Sequence, residues 1–238
     1  MKILHCVESH PTNDPRIARA RESWRRLYVR HELFPCPLDK YQFSSALLGD
    51  PRNLPSLREI IGQGYGQASA EDIVLLTNGD TILHPELPSM LKQTLAHQWA
   101  VCSFRLNGML GLEVLRQSPD ELSLKLNRDY GRDMFAFTKG WLDANMGKIP
   151  ELFAGEFEWD LILALLIRLS IGIEIGDHRD LSQMTKAELP LGYVLHERHA
   201  PAWLQPDSFG KNPANLWNRS LARQWYEDNN LRQFYTLG

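Results

Sequence analysis

The segment Asp72-Ile-Val-Leu-Leu-Thr-Asn-Gly-Asp80 decides how the rest of the chain is interpreted. Residues Ile73–Thr77 are all apolar or β-branched, which is typical of a strand buried on both faces, as in a parallel sheet. Asn78-Gly79-Asp80 then predicts a turn in which glycine supplies a permissive backbone. Asp80 is thus expected at the carboxyl end of a central strand, the edge where open α/β sheets bind ligands. An acid there can hold a divalent metal, although such a turn also occurs without any function.

Strands and helices alternate along the chain, as in a doubly wound α/β fold. Asp14-Pro15 predicts a helix start, with Asp14 as the cap and Pro15 in the first helical position. The polar loop before it, from Glu8 onward, would share the sheet edge with Asp80 if the strands run parallel. The predicted strands cover 3–7, 29–35, 73–77, 99–104 and a short segment from 193, and the predicted helices cover 15–27, 56–65, 87–97 and 161–169, with a further helical stretch in the tail.

The composition is that of one soluble domain. The 238 residues are 43% hydrophobic and 23% charged, and the formal charge of -3 gives no electrostatic footprint for nucleic acid. Three cysteines lie without metal-ligand spacing, and the N-terminal segment does not have the pattern of a signal peptide. We therefore expect a reduced, cytoplasmic protein with no membrane span.

Three polar clusters occupy the second half of the chain. The first, Arg128-Asp-Tyr-Gly-Arg-Asp133, precedes an apolar run. The second, Gly155-Glu-Phe-Glu-Trp-Asp160, precedes an apolar helix, so its acids either cap a positive helix end or supply a general base. The third is a short predicted strand ending in His196 and His199, which are either metal ligands or an ordinary surface or core pair.

The order of these clusters resembles a glycosyltransferase of the GT-A fold, most closely the small bacterial or phage-type domains. The resemblance covers most of residues 1–200 and implies an α/β, Rossmann-like mixed central sheet flanked by helices, here followed by a C-terminal helical tail. It implies a single domain, 1–238, in which 1–105 form the nucleotide-binding half and 106–200 the acceptor and catalytic half, with 201–238 as the tail.

The resemblance further implies a metal-dependent enzyme that moves a sugar from a nucleotide-diphosphate sugar, of the UDP type, to an acceptor hydroxyl. Mn²⁺ or Mg²⁺ would be held by Asp80 together with His196 or His199. The Asp-x-Asp motif of the family appears here as Asn78-Gly79-Asp80, in which one acid has become asparagine. The residues expected around the nucleotide sugar are Thr12, Asn13, Asp14, Arg52, Asn78, Gly79, Asp80, Arg105 and Asp133.

Three acids compete for the role of catalytic base. Asp160 ranks first, because the neighbouring Trp159 can stack on a sugar ring and exclude water, which raises the basicity of a carboxylate. Glu156 ranks second, since it is four residues away and shares a helix face with Asp160 if the helix begins early. Glu158 ranks third.

Two other functions and several acceptors remain open from the sequence. A nucleotidyltransferase would normally place a Gly- and Lys-rich loop after the first strand, and the polar loop here has neither. A non-catalytic module that binds nucleotides or carbohydrates is favoured by Asn78 in place of an acid. The acceptor could be a saccharide, a lipid-linked glycan, a protein side chain or a modified DNA base, and the oligomeric state is open.

Overall fold

The computed structural model describes residues 1–8, 14–27, 31–36, 44–50, 53–108, 111–156, 158–176, 180, 182–197 and 212–234. The strands are β1 (Ile3–Glu8), β2 (His31–Cys36), β3 (Ile73–Thr77), β4 (Thr81–Leu83), β5 (Ala100–Gly108), β6 (Asn127–Thr138) and β7 (Val194–Glu197). The α-helices are α1 (Pro15–Arg25), α2 (Leu57–Tyr65), α3 (Leu87–Leu95), α4 (Pro119–Lys125), α5 (Lys139–Asn145), α6 (Trp159–Ser170) and α7 (Pro213–Asp228). Short 3-10 helices cover Ser45–Leu48, Leu112–Arg116, Met146–Lys148 and Arg232–Phe234.

These strands form one mixed sheet in the order β2-β1-β3-β6-β5-β7-β4. Strand β1 pairs in parallel with β2 and β3, whereas β6 runs antiparallel to both β3 and β5. Every residue of β3 is buried, as predicted, although only one of its two neighbours is parallel. The predicted fold class, a mixed α/β sheet flanked by helices with a helix at the C-terminal end, is confirmed.

The sheet curls around the turn at 78–80. Three residues separate the end of β3 from the start of β4, and the chain from Thr77 to Thr81 spans at most about 14 Å. In a flat sheet, the four strand spacings between β3 and β4 would put them about 19 Å apart. The sheet must therefore curl, which brings β4 and β7 close to the end of β3.

A hydrophobic cluster covers each face of the sheet. Alternate residues of β3 serve the two clusters, because successive side chains of a strand point to opposite faces: Val74 and Leu76 join one, Ile73 and Leu75 the other. The first cluster includes α2, α6 and the buried side of α7, so α7 packs on the same sheet as α2 and α6. The second cluster includes α1 and α3. None of the described helices is long and apolar enough to cross a membrane.

Strand β6 differs most from the elements expected from sequence. The segment Arg128–Asp133 has the composition of a polar loop, yet it forms the first half of a twelve-residue strand. The register of β6 against β5 shifts between Ser103 and Phe104, and again between Phe104 and Leu106. Such bulges insert extra residues into one strand and redirect side chains. The bulges lie in the part of β6 that contains Asp129 and Asp133.

Several boundaries also differ. Strand β5 continues to Gly108, beyond the predicted end at 104, because its polar end is paired with β6 and β7. Strand β4 was not predicted, since three residues are too few to show a pattern. Helix α3 ends at Leu95 instead of 97, and α6 begins at Trp159 instead of 161.

Candidate functional site

Asp80 and His196 meet at the carboxyl edge of β3. Strand β7 lies between β5 and β4, and His196 is in register with Thr81 of β4. Because Asp80 immediately precedes Thr81, the turn brings its carboxylate to the imidazole, and Asp80 Oδ2 lies 3.4 Å from His196 Nε2. The structure therefore brings together two of the three predicted metal ligands. The third, His199, lies outside the described residues.

Arg105 joins two carboxylates beside this pair. Its Nη1 donates to both oxygens of Asp133, at 3.0 and 2.9 Å, while its Nε and Nη2 donate to Asp129 Oδ2 at 3.3 and 3.1 Å. Burial lowers the pKa of Arg105, but the charges of Asp133 and Asp129 outweigh this effect and raise it above the usual value. The Asp133 side chain is only 3% exposed, and a buried carboxylate is costly unless it is paired. Arg105 supplies that pair.

Gly131 makes room for this guanidinium. A Cβ atom at position 131 would lie 2.9 Å from Arg105 Cζ, closer than side-chain packing allows. The glycine of the Gly131-Arg132-Asp133 motif therefore lets Arg105 lie against the β6 backbone.

Asn78 completes the surroundings of Asp133. Its Nδ2 donates to Asp133 Oδ1 at 3.0 Å, and its backbone N donates to the Asp133 carbonyl oxygen at 3.3 Å. An aspartate at position 78 would present a like charge to a buried carboxylate, so asparagine suits this position. Gly79 is buried, and its φ is not positive, so the predicted need for glycine's backbone freedom in this turn is wrong.

A side-chain amide links the two parts of the site. Asn107 Nδ2 donates to Asp129 Oδ2, and Asn107 Oδ1 lies 3.2 Å from His196 Nδ1. Both Asn107 and Asp129 were absent from the predicted site residues. Their signal in the sequence is weak: Asn107 lies two residues after Arg105, and Asp129 belongs to the first polar cluster.

The start of α1 borders the same edge. Asp14 caps the helix by accepting from Arg16 N at 2.8 Å, and Pro15 is its first residue, as predicted. The side chain of Arg16 hydrogen-bonds to Asp14 and lowers the pKa of Asp14 to about 2, while the charge of Asp80 acts in the opposite direction. Arg16 is thus a cation near Asp80 that the sequence did not indicate. The predicted nucleotide contacts Thr12, Asn13 and Arg52 lie outside the described residues.

The reason for ranking Asp160 first as the base is wrong. Trp159 is only 4% exposed and packs in the core against Phe135, so it cannot stack on a sugar. Helix α6 begins at Trp159, so Glu156 precedes the helix and does not share a face with Asp160. Asp160 Oδ2 accepts from Arg132 N at 3.2 Å, beside Asp133. Glu156 is buried and accepts from Asn212 Nδ2 at 3.3 Å.

Glu158 differs from the other two acids in its backbone and in its electrostatics. Its φ of 68° lies in the left-handed region, which is strained for any residue with a side chain. Burial raises the pKa of Glu158 to about 7, with a further contribution from Asp160, while a hydrogen bond from the Tyr226 hydroxyl at 2.8 Å lowers it. Strained backbone and a carboxyl that titrates near neutral pH are both typical of functional positions.

The donor set fits a hard divalent cation that is only partly bound by protein. Among the described residues, no group of three or more His, Cys, Asp or Glu side chains is arranged to hold a metal. Asp80 and His196 supply one carboxylate and one imidazole, while Asp133 is engaged by Arg105 and Asn78. Mg²⁺ is commonly bound through one or two carboxylates plus substrate phosphates, and an imidazole favours Mn²⁺.

A scan against protein-family models and a search of curated proteins find no match. Among solved structures, the chain is similar to 4-diphosphocytidyl-2C-methyl-D-erythritol synthase from Anaerococcus prevotii DSM 20548, with 10% identity and a TM-score of 0.31 over 90% of this chain and 97% of that one. It is also similar to galactosyltransferase LgtC in complex with donor and acceptor sugar analogs, with 12% identity and a TM-score of 0.35 over 94% of this chain and 96% of that one. Similarities of this size assign neither a family nor an activity.

Proposed function

We propose that the protein is a metal-dependent glycosyltransferase that moves a sugar from a nucleotide-diphosphate sugar to an acceptor hydroxyl. The main support is the meeting of Asp80 and His196 at the carboxyl edge of the curled sheet, 3.4 Å apart. These two side chains would hold Mn²⁺ or Mg²⁺, which supplies positive charge to the diphosphate as it leaves the sugar. Arg105 compensates Asp133 and Asp129, so these acids do not repel the diphosphate with their full charge.

The nucleotide of a UDP sugar would lie on the loop between β1 and α1. Strands β1 and β3 are parallel, so β1 ends at the sheet edge where Asp80 lies. Asp14 borders that edge at the start of α1. Thr12, Asn13 and Arg52 remain the other proposed contacts to the base and ribose. We propose a cytoplasmic location for this reaction.

The acceptor hydroxyl needs a base, and we propose Glu158. A general base is most effective when its pKa lies near the working pH, and the pKa of Glu158 is about 7. The Tyr226 hydroxyl, which donates to Glu158 Oε2, holds the carboxylate in place while it takes the proton from the attacking hydroxyl. Asp160 is the second choice because of its position beside Asp133, and Glu156 is the third.

A two-stage experiment tests this function. Thermal-shift measurements with UDP, GDP and CDP, each with and without Mn²⁺, test binding, and release of nucleoside diphosphate from a panel of sugar donors tests turnover. Asp80→Ala should abolish the effect of Mn²⁺ on nucleotide binding and leave the fold intact. Asp143→Ala is the matched control, because Asp143 is an exposed aspartate on α5.

Each outcome has one meaning. If Mn²⁺ does not strengthen nucleotide binding in the wild type, and EDTA does not weaken it, the proposed metal site is wrong. Metal-dependent binding without release from any donor would identify a binding module instead. Asn78 no longer favours that module, because its amide has a structural partner in Asp133.

A further inference from the structure

The amide of Asn107 can be oriented without ambiguity. One end of the amide faces Asp129 Oδ2, and that same oxygen accepts from the guanidinium of Arg105. An ionised carboxylate only accepts hydrogen bonds, so the end of Asn107 that faces it must be the NH₂ group. The carbonyl oxygen of Asn107 is therefore the end that faces His196 Nδ1, 3.2 Å away.

This orientation determines where the proton of His196 lies. The carbonyl oxygen of Asn107 only accepts, so Nδ1 of His196 must be the nitrogen that donates. In the neutral imidazole, the lone pair then lies on Nε2, the nitrogen directed toward Asp80 Oδ2. A metal held beside Asp80 would bind that lone pair.

We infer that Asn107 is a positioning residue, which fixes the Nδ1–H tautomer of His196 and so directs Nε2 toward the metal position beside Asp80. The inference rests on the proposed function, because it concerns the same metal site. A histidine ligand commonly donates its other N–H to a polar partner, and loss of that partner typically weakens metal binding roughly 10–100-fold. Here the partner is itself held by Asp129, which in turn accepts from Arg105.

The sheet supplies the geometry for this arrangement. Strands β5 and β7 are parallel, and Asn107 is in register with His196. Arg105 and Asn107 are two residues apart on β5, so they are on one face of the strand. The residues that orient His196 thus belong to paired strands, which fix the positions of side chains more precisely than loops do.

The tautomer can be measured directly by ¹⁵N NMR of the histidine ring in the metal-free protein at pH 8. The wild type should show a protonated Nδ1 and an unprotonated Nε2 for His196. Asn107→Leu removes the acceptor, so His196 should shift to the Nε2–H form, which can donate to Asp80.

Asn127→Leu is the matched control, because Asn127 is exposed and lies opposite Asn107 in β6. It should leave the tautomer unchanged. Titration with Mn²⁺ alone, followed by the EPR signal of unbound Mn²⁺, should show roughly 10–100-fold weaker binding for Asn107→Leu and unchanged binding for Asn127→Leu.

The inference is overturned if His196 of the wild type shows the Nε2–H form, a result that needs no variant. It is also overturned if a folded Asn107→Leu protein keeps the Nδ1–H form or the wild-type affinity for Mn²⁺. These readouts do not require turnover. A wild type with the expected tautomer and Mn²⁺ binding, but without transfer from any donor, would contradict the proposed function and leave this inference standing.

Discussion

At the scale of single residues, the candidate site depends on the position of the Arg105 guanidinium. It lies between two aspartates of β6, against a glycine of the same strand. Without it, the buried carboxylate of Asp133 would keep the hydrogen bond from the Asn78 amide but would lose its balancing positive charge. Removing one member of a buried pair is usually costly, because the remaining charge stays away from water.

We predict that Gly131→Ala displaces Arg105 and lowers the free energy of unfolding by about 2–3 kcal/mol. The new Cβ would lie 2.9 Å from Arg105 Cζ, so the guanidinium must shift, and because both aspartates hold it, the shift weakens its contacts with them. Urea unfolding measures the loss. Gly140→Ala, in α5, is the control: a Cβ there meets nothing within 4 Å, and the change should stabilise by about 0.5–1 kcal/mol. Equal effects of the two substitutions would show that Arg105 is not held by the close fit.

At the scale of elements, the start of α6 is the most unusual part of the structure. The helix follows Glu158, whose backbone is left-handed, and the side chain of this residue is tied to α7 through Tyr226. The position and the pKa of the Glu158 carboxyl group therefore depend on both α6 and α7. The strained backbone of Glu158 is expected to persist because the packing of α6 and α7 holds it in place.

The first prediction at this scale concerns stability and pH. The pKa of Glu158 is about 7 in the folded protein, against 4.5 for an ordinary glutamate. Between these values, the folded protein keeps a proton that the unfolded chain loses, so the free energy of unfolding falls as pH rises, by at most about 3 kcal/mol. Glutamine does not titrate, so Glu158→Gln should lack this part of the fall in the free energy of unfolding with pH. Urea unfolding at pH 5, 6, 7 and 8 tests this, and parallel profiles for the two proteins would contradict it.

A second prediction concerns turnover. If Glu158 is the base, the rate should rise with pH through about 7, and Glu158→Gln should lose roughly 10²–10⁴-fold in turnover while it still binds nucleotide. Asp160→Asn should lose less. A nearly normal rate for Glu158→Gln, together with an inactive Asp160→Asn, would transfer the role to Asp160.

The contact between α6 and α7 gives a third prediction. The hydroxyl of Tyr226 lowers the pKa of Glu158 by donating to the carboxylate. Tyr226→Phe removes this hydrogen bond, so the rising limb of the pH–rate profile should move to higher pH. Tyr65→Phe is the control, because its hydroxyl bonds to Asp143 on α5. An unshifted limb in Tyr226→Phe would mean that another group titrates.

At the scale of the whole molecule, the curl of the sheet assembles the site. Asp80 comes from the turn between β3 and β4, Arg105 from β5, Asp133 from β6 and His196 from β7. A ligand that binds this group of residues contacts four parts of the sheet at once. Binding to the folded state alone should therefore stabilise the whole domain.

We expect UDP and Mn²⁺ together, at about 100 times the dissociation constant, to raise the melting temperature by about 5–10 °C. Asp80→Asn should remove the part of this shift that depends on Mn²⁺, because it removes a charged ligand and keeps the shape of the side chain. Asp143→Asn should show the full shift. A shift in Asp80→Asn equal to that of the wild type would exclude Asp80 from the metal site.

Features that depend on neighbouring residues could be predicted from the sequence. The buried strand Ile73–Thr77, the helix start at Asp14-Pro15 and the position of Asp80 just after a strand are all confirmed. Each of these follows from local periodicity, capping or turn chemistry, which act over a few residues. The α/β class followed from the alternation of such elements, and the resemblance supplied the mixed sheet.

Which side chains meet depends on how the strands and helices pack, and this could not be predicted from neighbouring residues. The bulges of β6 put Asp129 and Asp133 on Arg105, and the register of β5 with β7 puts Asn107 against His196. Such partners lie 24 to 89 residues apart along the chain, and shifting a strand by one residue would turn its side chains to the other face. Trp159 illustrates the same limit. Its place in the core depends on where α6 begins and on what packs over it, and neither can be predicted from the residues next to it in sequence.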